Sequence, residues 1–200
     1  MEIIEKCFIF FTQFPIMSAY YTGLGDEGET SIIGKGRIPK SSLIIAAIGD
    51  VDELNSCIGV ALHHVKDKTL KDDMKSVQDK LFTLGATLAS GNSSLIKTRI
   101  VASDTTSIEE GISRMSDKFP KLAKFVLPGG SEQAAFLHLC RSVARRAERS
   151  IIAASKAQNS AEIDYTHIIS YMNRLSSFFF VAALYANNAE GIKEQNPTYS

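Results

Sequence analysis

Apolar residues recur every three or four positions from residue 41 onward, and this spacing constrains the fold more than any other feature of the sequence. The period places apolar side chains on one face of a helix. The first such segment begins at Ser41 or Ser42, either of which can cap it, and runs to about Val65. Its predicted inward residues are Ile44, Ala47, Ile48, Val51, Leu54, Ile58, Ala61 and Leu62.

Four more helices are predicted from the same period and from their start and stop signals. Their approximate ranges are 68–89, with a stop near Gly91–Asn92; from a cap at Ser103 or Asp104 to before Pro120; 131–157; and 161–189. Strand-like alternation is nearly absent. The sequence therefore predicts an all-α fold, a bundle of five helices.

The chain of 200 residues can bury one substantial core. We expect residues 1–19 to be an N-terminal extension, 20–191 to be the helical-bundle domain, and 192–200 to be a frayed tail. The apolar run in the extension is too short to span a bilayer. A signal peptide and a true start at Met17 both stay open, although the acidic n-region and the lack of a cleavage site disfavour the first.

Overall charge is balanced, with 22 Lys and Arg against 22 Asp and Glu. No global field therefore attracts nucleic acid or an anionic membrane, and any anion site must be local. The three cysteines are widely spaced without a CxxC pair, which disfavours a disulfide framework or a zinc site. We expect a cytoplasmic protein with reduced thiols.

The segment from Tyr20 to Lys40 holds five glycines and a proline without a helical period. Within it, TGLGDEGETS (Thr22–Ser31) has the composition of a loop that wraps backbone amides around phosphate oxygens. It lacks the spacing of a P-loop, and a flexible loop without a ligand is an open alternative. Lys35 and Lys40 follow within reach of any bound anion.

The fourth predicted helix carries Arg141, Arg145, Glu148 and Arg149 on one face, whereas Arg146 points elsewhere. A solvated basic face with Glu148 paired to an arginine is the plain alternative. However, this face borders the apolar stripe of the helix, where an active-site wall or a subunit interface would lie. Arginine suits either, because its planar fork binds carboxylate or phosphate bidentately.

Two polar residues interrupt apolar helix faces elsewhere. Asp52 belongs to a small polar patch with Asn55, Ser56 and Gly59, and a simply solvated carboxylate is the alternative. Asn173 interrupts the fifth helix, either as a satisfied core amide or as a hydrogen-bonding group for a ligand. Both positions are therefore candidates for a site or an interface.

Five segments in order resemble the cobalamin adenosyltransferase family of the propanediol-utilisation type. The matching motifs are TGxGDxGxT, GxVDELNS, FxLPGG, RxxxRRAER and YxNRLS, which here are Thr22–Thr30, Gly49–Ser56, Phe125–Gly130, Arg141–Arg149 and Tyr171–Ser176. The resemblance runs from about Tyr20 to Gly191. Each motif alone is weak, but five in order at compatible spacing make chance agreement very improbable.

The resemblance implies a homotrimer of five-helix bundles with active sites between subunits. It implies that ATP and Mg²⁺ bind in the N-terminal loop and that cob(I)alamin binds against the same cleft. Co(I) then attacks the 5′ carbon of ATP, the triphosphate leaves, and adenosylcobalamin forms. A cob(II)alamin reductase and an adenosylcobalamin-dependent enzyme would be partners; nucleic acid and membranes would not.

The resemblance also assigns residue roles. The ATP loop would comprise Thr22, Gly23, Gly25, Asp26, Gly28 and Thr30, with Lys35 and Lys40 on the phosphates. Arg145 and Glu148 would contact the nucleotide and its Mg²⁺, and Asn173 the nucleotide. Asp52 would pair with Arg141 across the subunit interface. Phe125 would pack under the corrin and displace its lower ligand.

The chain departs from the family pattern at two positions: Ile44 stands where an arginine is usual, and Ser177 where an aspartate is usual. A non-catalytic bundle that carries ATP or a corrinoid is therefore an alternative. A ferritin-like di-metal bundle is not, because such sites need Glu-x-x-His motifs and the chain has none.

Overall fold

The computed structural model describes residues 21, 23–32, 36–90, 98–157 and 163–198. Five helices lie within these ranges, as predicted: α1 Leu43–His64, α2 Lys68–Ser90, α3 Ala102–Ser116, α4 Glu132–Ala157 and α5 Thr166–Ala189. The five-helix bundle is thus confirmed, with helix ends within a few residues of the prediction. The N-terminal extension, the stop near Gly91–Asn92 and the predicted start of the last helix near residue 161 lie outside the described residues.

A short β-ribbon precedes α1, and here the sequence prediction was wrong. Strands β1 (Glu29–Ile32) and β2 (Gly36–Pro39) pair antiparallel, with Thr30 opposite Ile38. Each strand has four residues, too few to show an alternating pattern in the sequence. Three residues separate the ribbon from α1, and Ile38 of β2 packs against the hydrophobic core.

Helix α5 supplies much of the core. It packs against α3 and α4, while α4 also packs against α1, and α1 against α2. Its Tyr171, Phe178 and Phe179 are among the largest fully buried side chains. By length and composition α5 could cross a membrane, but more than half of its most apolar stretch is buried inside the bundle. Its apolar character is therefore explained by its contacts with other helices.

The start of α3 differs from the predicted cap. The helix begins at Ala102, and the carboxylate of Asp104 accepts a hydrogen bond from the Val101 N–H at 2.9 Å. The same carboxylate pairs with Lys80 Nζ of α2 at 2.7 Å. Asp104 thus satisfies a free amide from inside the first turn, whereas the sequence pattern placed it or Ser103 at the cap itself.

The C-terminal segment, predicted to be frayed, is anchored in its described part. The Leu127 N–H donates to the Gln195 carbonyl at 2.7 Å, and Asn196 Nδ2 donates to the Phe125 carbonyl at 2.8 Å. Residues 192–198 therefore run beside residues 119–130, which we call the Phe125 loop. The prediction was wrong here because the loop's unpaired backbone groups provide partners that helical periodicity does not reveal.

Asn187, at the end of α5, holds this region together. Only 1% of the residue is exposed. Its Oδ1 accepts hydrogen bonds from the backbone N–H and the hydroxyl of Ser131 at 2.8 and 3.1 Å. Its Nδ2 donates to the Gly129 carbonyl and to the Glu194 carboxylate, both at 3.0 Å. One buried amide therefore joins α5, the Phe125 loop, the start of α4 and the C-terminal segment.

Gly130 is required by this arrangement. Its φ is +103°, and a Cβ at this position would lie 2.3 Å from Asn187 Oδ1. We predict that Gly130→Ala lowers the free energy of unfolding by about 2 kcal/mol or more, through backbone strain and the loss of the Asn187 bonds. Urea denaturation followed by circular dichroism measures the change.

The control is Gly85→Ala, in the interior of α2, where a Cβ would meet no atom within 4 Å. This variant should be neutral or slightly more stable, because alanine favours a helix. Equal urea midpoints for Gly130→Ala and the unmodified chain would contradict the role given to Asn187.

Candidate active site

The Gly-rich loop is a series of turns. Gly23 and Gly28 have φ values of +69° and +81°. The Asp26 N–H donates to the Gly23 carbonyl and the Gly28 N–H to the Gly25 carbonyl, each at 3.2 Å. The Lys40 N–H then donates to the Gly28 carbonyl at 2.8 Å, which closes the loop onto the end of the ribbon. Thr22 and Lys35, also predicted to bind the nucleotide, lie outside the described residues.

Lys40 folds over this loop. A Cβ built on Gly25 would lie 2.9 Å from Lys40 Nζ, so the ammonium group sits directly above the glycine backbone. The structure therefore brings Lys40 to the predicted phosphate loop. The arrangement also shows why a side chain at position 25 would displace the lysine.

Arg37 was missed by the sequence analysis. Its Nη2 donates to the Leu24 carbonyl at 2.7 Å, and its Nε pairs with the Glu29 carboxylate at 3.0 Å. It thereby ties the second strand to the loop. Only the unpredicted strand pairing places Arg37 near these partners, so the sequence held no signal for this contact.

A polar cluster joins α4 and α5. Asn173 Nδ2 donates to Glu148 Oε1 at 2.9 Å. The amide oxygen of Asn173 accepts from Arg174 Nη1 at 2.9 Å, and Arg174 Nε pairs with Glu109 of α3 at 2.6 Å. Asn173 is exposed, which rules out the alternative of a satisfied core amide. Its side chain is instead held in one orientation at the bundle surface.

Arg145 and Arg146 differ in their partners although they are adjacent. Arg146 pairs with Asp50 at 3.2 Å and with Glu53, both on α1. Arg145 is exposed on the face that carries Glu148, and among the described residues it has no ion-pair or hydrogen-bond partner. Its cationic charge is therefore available to an external anion, while that of Arg146 is neutralised.

Asp52 and Arg141 do not pair with each other within the chain. Asp52 is exposed on α1, and Arg141 is half-buried on α4. Arg141 Nε is buried without a hydrogen-bond partner among the described residues. Neither side chain has a hydrogen-bond or ion-pair partner within the described residues, so their pairing across a subunit interface stays a prediction.

His138 lies one turn before Arg141 on α4. It is 3% exposed, and neither ring nitrogen has a hydrogen-bond partner within the described part of the chain. Burial lowers the pKa of His138, and the positive charge of Arg141 lowers it further. The imidazole is therefore held neutral beside the arginine.

Phe125 is 79% exposed although its backbone is fixed by Asn196. The ring is therefore free to contact another molecule. The two departures from the family pattern lie in different surroundings. Ile44 is buried in the core, while Ser177 is exposed one turn after Asn173.

The predicted site residues fall into separate groups within one chain. Among the described residues, Gly23, Gly25, Asp26, Gly28, Thr30 and Lys40 form no hydrogen bond or ion pair with α4 or α5. In the same part of the chain, no group of three or more His, Cys, Asp or Glu side chains could hold a metal ion.

Comparison with known proteins gives one family. The model of the cobalamin adenosyltransferase family matches residues 20–186. The corrinoid adenosyltransferase of Bacillus subtilis is 38% identical over 180 residues, covering 86% of this chain and 88% of the relative. The human corrinoid adenosyltransferase is 34% identical over 188 residues, covering 90% and 74%.

Solved structures agree with this result. A variant of the PduO-type ATP:corrinoid adenosyltransferase from Lactobacillus reuteri, complexed with cobalamin and ATP, superposes with a TM-score of 0.81 at 33% identity. The match covers 90% of this chain and 100% of that one. A second variant of the same enzyme, complexed with ATP, has a TM-score of 0.80 at 34% identity and covers 89% and 99%.

The neutral state of His138 leads to a test by pH. Because its folded pKa lies below the ordinary value near 6.5, the unfolded chain takes up a proton at a higher pH than the folded chain. Stability should therefore fall as the pH drops below about 6.5, by up to about 1.4 kcal/mol per pH unit from this group. His138→Leu should reduce the difference in unfolding free energy between about pH 7.5 and 5.5.

The matched control is His63→Leu, because His63 is exposed on α1. It should retain the pH dependence of the unmodified chain in urea titrations at both pH values. The same slope for all three proteins would contradict a buried, neutral His138.

Proposed function

The chain belongs to the cobalamin adenosyltransferase family, and from this we propose how its own residues carry out the reaction. It is a corrinoid adenosyltransferase, which transfers the 5′-deoxyadenosyl group of ATP to the cobalt of cob(I)alamin. The observation that carries the residue assignment is the unneutralised Arg145 beside the bonded Glu148–Asn173 pair. The non-catalytic carrier alternative is disfavoured, because relatives that match most of the chain are enzymes.

The reaction needs positioning more than acid–base chemistry. Co(I) donates an electron pair to the 5′ carbon of ATP, a cobalt–carbon bond forms, and the bond from that carbon to the triphosphate oxygen breaks. The cobalt becomes formally Co(III), and the electron pair of the broken bond leaves with the triphosphate. Because Co(I) is already a strong nucleophile, the protein must supply in-line alignment and stabilise charge on the leaving group.

We assign these tasks to two groups of residues. The turns from Gly23 to Gly28 present backbone amides, with Lys40 Nζ above Gly25, and suit the phosphate chain. Arg145 would stabilise the departing triphosphate, since its fork binds phosphate oxygens and no carboxylate in the described chain neutralises it. Asn173, held by Glu148 and Arg174, would orient the nucleotide.

Mg²⁺ fits this site as a companion of the phosphates. It is commonly bound by one or two carboxylates together with phosphate oxygens and water, so Glu148 would be a sufficient protein ligand. When bound, it would add positive charge to the triphosphate. Glu148 would keep its Oε1 on Asn173, which leaves the other carboxylate oxygen for the ion.

We further propose a homotrimer with its sites between subunits. The Gly-rich loop and the α4–α5 cluster are not bonded within one described chain, so the loop of one copy would complete the cluster of the next. Asp52 and Arg141, which do not pair internally, would join across that interface. The protein would be cytoplasmic, where Cys57 and Cys140 stay free thiols. A cob(II)alamin reductase and an adenosylcobalamin-dependent enzyme would be its partners.

Phe125 would act on the corrinoid rather than on ATP. Its exposed ring, on a backbone fixed by Asn196, suits packing against the lower face of the corrin in place of the lower ligand. Loss of that ligand makes Co(II) easier to reduce to Co(I). Arg145 and Phe125 would therefore serve opposite ends of one site.

Replacing Arg145 tests the assignment directly. We predict that Arg145→Ala lowers kcat at least about a hundredfold, because the leaving triphosphate loses its main protein cation. Anaerobic spectroscopy with cob(I)alamin, ATP and Mg²⁺ follows the loss of the Co(I) absorbance and the growth of adenosylcobalamin. Lys156→Ala, at an exposed lysine near the end of the same helix, should keep full activity. A fully active Arg145→Ala protein would refute its role.

Asp52→Asn tests the interface. Loss of the carboxylate should leave Arg141 of the adjacent subunit unpaired. The trimer should therefore dissociate at a higher protein concentration than the unmodified trimer does, or ATP should bind more weakly. Sedimentation velocity and ATP titration measure both effects. Asp72→Asn, a similar change at an exposed residue of α2, should alter neither. If Asp52→Asn also leaves both values unchanged, Asp52 has no interface role.

A further inference from the structure

A cleft of about 480 Å³ lies behind the Phe125 loop, outside the residues assigned to ATP. Its walls come from residues 119–124, from the end of α5 at Leu184 and Asn188, and from the C-terminal segment at residues 191–194 and 196. The volume is within the range of about 300–1,000 Å³ that is typical of small-molecule sites. None of the roles proposed above uses this cleft.

The lining combines apolar walls with positive charge. Leu122 and Ile192 provide apolar surface, and Leu122 is 41% exposed. Lys121, Lys124 and Lys193 also line the cleft.

The cationic charge of the cleft is only partly offset. Among its lining residues Glu194 is the single acidic one, and its carboxylate already accepts a hydrogen bond from Asn187. A ligand with an apolar ring system and a negative charge would therefore match the cleft.

The cleft and Phe125 are parts of one structural unit. Asn196, which lines the cleft, donates its hydrogen bond to the Phe125 carbonyl. The Phe125 residue itself directly follows Lys124 in the chain, and its ring is exposed. A molecule that contacts the ring of Phe125 is thus held by the same loop whose preceding residues, 119–124, line the cleft.

Cobalamin has a part with the required chemistry. A nucleotide tail hangs from the lower side of the corrin ring, with an apolar aromatic base, a ribose and a phosphodiester of one negative charge. In free cobalamin the base is the lower ligand of cobalt. When an aromatic side chain takes that position, the tail must move to another place on the same side of the ring.

We propose that the cleft behind the Phe125 loop binds this displaced nucleotide tail. The aromatic base packs against Leu122 and Ile192, and the phosphodiester lies near Lys124 and Lys193. The inference rests on the proposed function, in particular on Phe125 as the residue that replaces the lower ligand. It makes the cleft a specificity site for complete corrinoids over those without a tail.

The test compares cob(I)alamin with cob(I)inamide, a corrinoid that has no nucleotide tail. In the double variant Lys124→Ala/Lys193→Ala, kcat/KM for cob(I)alamin should fall about tenfold, which corresponds to about 1.4 kcal/mol. The value for cob(I)inamide should stay within twofold of that for the unmodified enzyme. Lys75→Ala, at an exposed lysine of α2, is the matched control and should change neither value.

A direct measurement does not depend on turnover. The ³¹P resonance of the cobalamin phosphodiester should shift when the unmodified enzyme and ATP are added, and the shift should be lost in the double variant. The substituted lysines, Lys75, Lys124 and Lys193, are all exposed, so the variants should keep the helical circular dichroism of the bundle. The single variant Lys124→Ala serves the same purpose if the double variant does not fold.

The outcomes separate this inference from the proposed function. Equal losses with both corrinoids, or no loss with either, would overturn the nucleotide-tail site while the enzyme remains an adenosyltransferase. An unshifted phosphorus resonance with the unmodified enzyme would likewise overturn the nucleotide-tail site. Failure of the unmodified enzyme to adenosylate either corrinoid would instead overturn the proposed function.

Discussion

Burial of α5 between α3 and α4 places both ends of the candidate site on one rigid element. The aromatic side chains of its middle part, such as Phe178 and Phe179, are fully buried and fix its rotation. With this rotation, Asn173 faces outward and hydrogen-bonds to Glu148. Asn187 faces inward and hydrogen-bonds to the end of the Phe125 loop and the start of α4. The two amides are fourteen positions apart, so about 21 Å of helix separates the contact with Glu148 from the contact with the Phe125 loop. Displacement of the helix would therefore disturb both ends together.

Local neutralisation, not net charge, decides which cations can bind a ligand. The chain has equal numbers of acidic and basic residues, yet Arg146 is held by two carboxylates while Arg145 beside it has none in the described chain. The difference comes from the helix period, since adjacent residues diverge by about 100° around the axis. Arg146 faces α1, and Arg145 faces outward. This distinction was readable in the sequence, because spacing alone set Arg146 apart.

Other features needed contacts between distant segments. Helical periodicity predicted the bundle, since burial repeats locally along each helix. It could not reveal that Asn187 bonds to Ser131 and Glu194, because no local pattern relates an amide on one helix to turns far away in sequence. The anchored C-terminal segment was missed for the same reason. Within the site, Lys40, Glu148 and Asn173 were each named as candidates from the sequence, but the hydrogen bond between Glu148 and Asn173 was not foreseen. Arg37 depended on a strand pairing that was not foreseen either.

The unsatisfied groups on α4 bear on the proposed assembly of the site between subunits. A buried polar atom without a partner costs about 1–3 kcal/mol, so a folded chain rarely retains several close together. Arg141 Nε and both nitrogens of His138 are in this state within one helical turn. Within the described residues, an exposed carboxylate at Asp52 and a Gly-rich loop with no bond to the α4–α5 cluster belong to the same pattern. In the proposed trimer, a neighbouring copy that brings a carboxylate to Arg141 and a loop to Arg145 would give both arginines a partner and assemble the site in one step.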